Sequence, residues 1–86
     1  MPQAWKSSVI ARIGEANLKL TRMDAATYPQ EIHDYAEVLL VVGGQLNLRV
    51  ADRSVTVCAG ELYVVPAGVP HSVEAGSAGA LLIIDL

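Results

Sequence analysis

Cysteine is all but missing from this chain. Cys58 stands alone, so neither an internal disulfide nor a cysteine-based zinc cluster can be assembled from its 86 residues. Phenylalanine is absent and aromatic residues make up only 5%, which leaves the aliphatic side chains to fill any core. Long apolar stretches are missing too. The longest, Val38–Val42 and Ala80–Ile84, are five residues each, against the ~20 of a membrane-spanning helix. The sequence therefore predicts a soluble protein with no membrane partner. Positive charge is sparse: Lys6, Arg12, Lys19, Arg22, Arg49 and Arg53 are scattered along a chain of net charge −3. No basic patch forms, which argues against nucleic acid as a partner. The start, Met1-Pro2-Gln3-Ala4-Trp5-Lys6, has no apolar segment behind a basic end. Cytoplasmic residence is the expectation, and a lone cysteine agrees with a reducing compartment.

Hydrophobic residues are abundant, at 52% against 17% charged. That balance excludes a disordered tail, and the length allows one core, hence one domain over residues 1–86 with residues 1–7 as an N-terminal arm. Apolar residues recur at every second position between glycine and proline breaks, the period of β-strands. Ala16, Leu18 and Leu20 alternate with Asn17, Lys19 and Thr21. Leu46, Leu48 and Val50 alternate with Gln45, Asn47 and Arg49, and after a polar turn at Asp52-Arg53 the pattern resumes in Val55 and Val57. Further strands are expected near Val9–Ile13, Val38–Val42, Leu62–Val65, His71–Ala75 and Ala80–Asp85, with turns at Gly43-Gly44, Ala59-Gly60, Pro66-Ala67-Gly68 and Gly76–Gly79. Seven or eight short strands without a helical period predict an all-β sandwich or barrel. The runs 38–42 and 80–84 do not alternate, so both their faces are expected to be buried, the outer one by a second copy of the chain. A homodimer follows.

Chemistry concentrates around the two histidines. Glu31 and His33 are two apart, which on a strand puts both side chains on one face with Cα atoms about 6.6 Å apart. Glu37 lies six residues beyond Glu31 and joins them only if Asp34-Tyr35-Ala36 bends the chain back. His71 follows the Pro66–Pro70 turn. Imidazoles and carboxylates together suit Fe(II), Mn(II), Ni(II), Cu(II) or Zn(II) without choosing among them. Tyr28, Tyr35 and Tyr63 are candidates to line a pocket, or equally to pack the barrel. Ser72 beside His71 is no dyad, since strand neighbours point to opposite faces.

Two segments carry a family pattern. Gly60, five residues, Pro66, Ala67, Gly68, two residues and His71 match the second motif of the cupins at every fixed position, with Ala75 where the family prefers Asn. His33, three residues, Glu37, six residues and Gly44 match the first motif, with Glu31 in the place of its first histidine and Thr27, or a near neighbour, in the place of its initial glycine. The chain thus resembles the cupin superfamily. The resemblance implies a double-stranded β-helix, or jelly-roll barrel, whose motif positions Glu31, His33, Glu37 and His71 ring a divalent metal (Fe, Mn, Ni or Zn). It leaves two functions open: action on a small molecule by oxidation, isomerisation or elimination, or non-catalytic binding and sensing of a small ligand in the same cavity.

Overall fold

The period-2 alternation gives eight antiparallel strands in a computed structural model, which describes residues 7–24 and 28–86. They are β1 (Ser8–Ile13), β2 (Ala16–Met23), β3 (Tyr28–Glu31), β4 (Glu37–Val50), β5 (Arg53–Cys58), β6 (Leu62–Val65), β7 (His71–Val73) and β8 (Ala78–Asp85). One curled sheet runs in the order β1-β2-β8-β4-β7-β3, with β5 and β6 also paired to β4. This is a jelly-roll barrel, and no helix occurs among the described residues. The arm expected over residues 1–7 falls, apart from Ser7, outside them.

β4 organises the molecule. Its first half pairs with β6 and β8, and its second half with β5 and β7. The expected turn at Gly43-Gly44 is not a turn: β4 continues through it with a register shift against β8. Gly44 (φ +79°) faces Gly79 (φ +110°) across the β4–β8 ladder, and a Cβ on Gly44 would overlap the Ala78 carbonyl. The glycines thus serve a close backbone approach at a bulge, where a side chain has no room. The next hairpin turns at Ala51-Asp52, one residue earlier than expected, because Arg53 already pairs with Val50. Ala51 holds a left-handed φ of 53° there, as a two-residue hairpin demands of its first central residue.

The core is aliphatic: Leu39, Val41, Leu46, Leu48, Val50, Val57, Val65 and Leu81 are buried, with Met23. The runs 38–42 and 80–84 are not buried on both faces in the single chain. Their inward members Leu39, Val41 and Leu81 are buried, whereas Val38, Leu40, Leu82 and Ile84 are half-exposed and Val42 is open to solvent. The alternation is real, although residue type conceals it. β2 shows the reverse concealment. Its Thr21 is buried and its Lys19 lines the interior, while Leu18 and Leu20 lie on the outer face in register with Ile84 and Leu82.

Candidate metal centre

Three local features bring the site together. Pro70 has no N–H to give a ladder, so β7 begins at His71, where it pairs with Glu31 on one side and Val50 on the other. Cα partners in a ladder share a face, so the Glu31 and His71 side chains point the same way. Beyond Glu31 the ladder has no partner, so β3 stops. His33 therefore sits in the following loop and not, as expected, on a strand with Glu31. The backbone bends at Asp34-Tyr35 and returns Glu37 as the first residue of β4. The bend expected there is present without glycine or proline. Finally, the Gly68 amide donates to the His33 carbonyl at 2.8 Å, tying the loop that carries His33 to the turn before His71.

Glu31, His33 and His71 each offer a ligand atom within 4.8 Å of the others. His33 Nε2 is 3.0 Å from Glu31 Oε2. Glu37 lies outside that set, yet its oxygens stand 3.4 Å from His71 Nε2 and 3.9 Å from His33 Nε2. Ligands sharing one ion at about 2.1 Å lie roughly 3.0–3.4 Å apart for octahedral to tetrahedral angles. The donor types suit a divalent cation, and the Glu31–His33 and Glu37–His71 pairs already stand at that spacing, while His33–Glu37 is wider. Two contacts hold the rings. His71 Nδ1 donates to the Val69 carbonyl at 3.1 Å, which leaves Nε2 with the lone pair turned inward. The Tyr35 ring stacks on His33 at 4.9 Å and 10°.

Burial dominates the electrostatics. It raises the Glu37 carboxyl above its ordinary 4.5, partly countered by His71 and His33 and reinforced by Asp85 and Glu31. Tyr35 is likewise raised, first by burial and then by the carboxylates of Asp85 and Glu37. These groups open into a cavity of about 230 Å³ walled by Leu39, Leu46, Leu48, Leu81 and Ile83. That is below the roughly 300–1,000 Å³ of drug-sized sites and suits a small metabolite.

The other sequence candidates divide. Tyr35 lines the cavity, and Tyr63 packs against the core. The Tyr28 side chain and Thr27 lie outside the described residues. Cys58 is exposed. Sequence reasoning missed a second polar cluster in the cavity: Lys19, whose Nζ donates to Asp85 Oδ2 at 2.8 Å, and Thr21, whose hydroxyl meets that of Ser7 at 2.6 Å. The legible signal was a carboxylate, Asp85, closing an apolar run, which is costly to bury alone.

With fold and site in hand, comparison with known proteins decides the family. The model of the Cupin domain matches residues 20–86. The chain belongs to the cupins. A cupin-2 domain-containing protein from Shewanella frigidimarina is similar at 32% identity over 99% of this chain and 83% of its own, with a TM-score of 0.91. A Neisseria meningitidis protein shares 28% identity over 100% of this cupin and 88% of its own length, TM-score 0.85. KdgF from Halomonas sp. shares the fold at 18% identity, covering 91% and 73%, TM-score 0.78. No curated protein matches the sequence.

Proposed function

We propose that this cupin holds a divalent metal ion through Glu31, His33, Glu37 and His71 and acts on a small molecule in the adjoining cavity. The supporting observation is the orientation of His71. Its Nδ1–H is committed to the Val69 carbonyl, so a neutral ring aims a lone pair at a Glu37 oxygen only 3.4 Å away in a buried setting. Two acceptors so close repel unless a proton or cation lies between them. His33 likewise turns Nε2 toward two carboxylates.

Imidazole and carboxylate donors suit Fe, Mn, Ni or Zn, and such an ion supplies Lewis acidity toward a substrate oxygen when bound. The protein's part is positioning. The Val69 carbonyl fixes the tautomer of His71, Tyr35 fixes the plane of His33, and the leucine wall gives the ligand an apolar surface to lie against. Oxidation, isomerisation and elimination are all within reach of such a site. Binding without turnover would make the protein a sensing module. The deciding experiment is elemental analysis of untagged protein before and after chelation. About one equivalent of metal is expected, and protein purified without any that also fails to take up Fe, Mn, Ni or Zn refutes the reading.

The same reading includes a homodimer in the cytoplasm, where the exposed thiol of Cys58 stays reduced. On the outer face, Leu20, Leu82, Leu40 and Leu62 form one row across β2, β8, β4 and β6, and Leu18, Ile84, Val38 and Val64 form a second. Neither row contains a charge, and Leu62 and Val64 are about half exposed. An uncharged four-strand face matches a second copy of itself better than a charged partner. Light scattering should give twice 9.1 kDa; a monomer at micromolar concentration rules the dimer out.

A further inference from the structure

Among the described residues the cavity lining includes one lysine, Lys19, which the metal reading does not use. Lys19 and Asp85 lie on the inner faces of the adjacent strands β2 and β8. The Asp85 side chain is 6% exposed and the Lys19 side chain 27%. The aspartate is buried and the lysine half-buried, so the pair bears part of the desolvation cost of a buried ion pair, which gains little net stability over apolar residues of the same size. The lysine is held, not loose. Asp85 Oδ2 takes one of its three N–H donors, and no other hydrogen bond to the ammonium occurs among the described residues. Asp85 Oδ1, itself buried, has no hydrogen-bond partner there either. Lys19 lines the same cavity as Glu31, His33, Glu37 and His71, with Glu37 two strands away, roughly 10 Å across the sheet at the backbone. Long side chains shorten that gap.

The geometry points to Lys19 as the docking point for the carboxylate of a small organic acid, whose other end reaches the metal site. Asp85 is the positioning residue that fixes the ammonium. The inference rests on the metal reading, because of charge. Three acidic side chains, Glu31, Glu37 and Asp85, face one ammonium, Lys19, in the described lining, an acidic excess that disfavours an anion and that a divalent ion offsets. Metal and carboxylate must then bind cooperatively, each tightening the other by the same factor.

The test loads the wild-type protein with Mn(II) and titrates it calorimetrically with glycolate, pyruvate, succinate and glutarate, each beside its neutral amide. At least one acid should bind more tightly than its amide, and only when manganese is present. Lys19→Met should weaken that acid by about 10- to 100-fold, the span expected for a hydrogen bond to a charged group, without weakening the amide. Lys19→Arg should retain most of the affinity. Since Lys19→Met strands the Asp85 carboxylate, the Lys19→Met/Asp85→Asn double variant repeats the measurement with the charge balanced. Manganese content is determined in every sample. Wild type that takes up none fails the metal reading, and this inference with it. Full manganese with no acid preferred over its amide, or with a preference that survives both the single and the double substitution, overturns the role of Lys19 alone.

Discussion

Replacing Glu37 with Gln should change the sign of its effect on stability between metal-free and metal-loaded protein. The buried carboxyl has its pKa raised above 4.5, chiefly by loss of hydration and despite attraction to His71 and His33. A raised folded-state pKa contributes stability that is fully present below the unfolded value and lost as pH rises through the folded one. Metal-free wild type should therefore lose stability from about pH 4.5 upward relative to Glu37→Gln, which keeps the shape without the proton. At pH 7–8 the variant should melt higher. Metal reverses the order. At a free metal concentration of 100 Kd the wild type gains about 2.7 kcal/mol, or ~11–22 °C for a chain this size. Loss of a direct ligand should weaken binding at least as much as the 10–100-fold typical of outer-shell partners, removing about 1.3–2.3 kcal/mol of that gain at the same metal concentration. Melting curves by circular dichroism, from pH 4 to 8 with chelator or metal, read both effects. A metal-free variant less stable than wild type at pH 8, or equal metal-induced gains in both proteins, would refute the reasoning.

Gly44→Ala should destabilise the fold by more than about 3 kcal/mol, since a left-handed φ and overlap with the Ala78 carbonyl add together; chemical denaturation would show it, and a loss under 1 kcal/mol contradicts the close approach. Ala51→Gly should raise stability by up to about 1 kcal/mol by relieving the positive φ, measured the same way. Glu31→Ala should weaken metal uptake without unfolding the barrel, and Glu31→His should keep a metal while moving its preference toward Cu(II) or Ni(II); unaltered affinity and selectivity in the alanine variant would remove Glu31 from the ligand set.

The strands were readable because alternation survives in most of them, and the family pattern pointed to the grouping of His33, Glu37 and His71 because its spacings encode a bend and a turn. Three things were hidden. β3 has no apolar alternation to mark it or its end at Glu31, and its pairing with β7 is a long-range fact. Gly43-Gly44 carries the composition of a turn, yet the tight crossing with Gly79 uses the same residues for a bulge. His33 leaves the strand because Pro70 ends the opposing ladder, a consequence that no local window around His33 contains.

The inner face of β2 was hidden for a different reason. Alternation sorts residues onto two faces but does not say which face turns inward, and an apolar-inside rule would choose Leu18 and Leu20. The fold chooses Lys19 and Thr21, with Asp85 beside them on β8 and Glu37 on β4. Each polar residue placed inside displaces an aliphatic one to the outer face, so the polar wall of the cavity and the apolar rows outside are two sides of one alternation. A single chain cannot dry both sides. The cavity and the self-association proposed for this cupin are thus physically linked: polar groups gathered inside leave leucine, isoleucine and valine outside, the face on which the proposed second copy would pack.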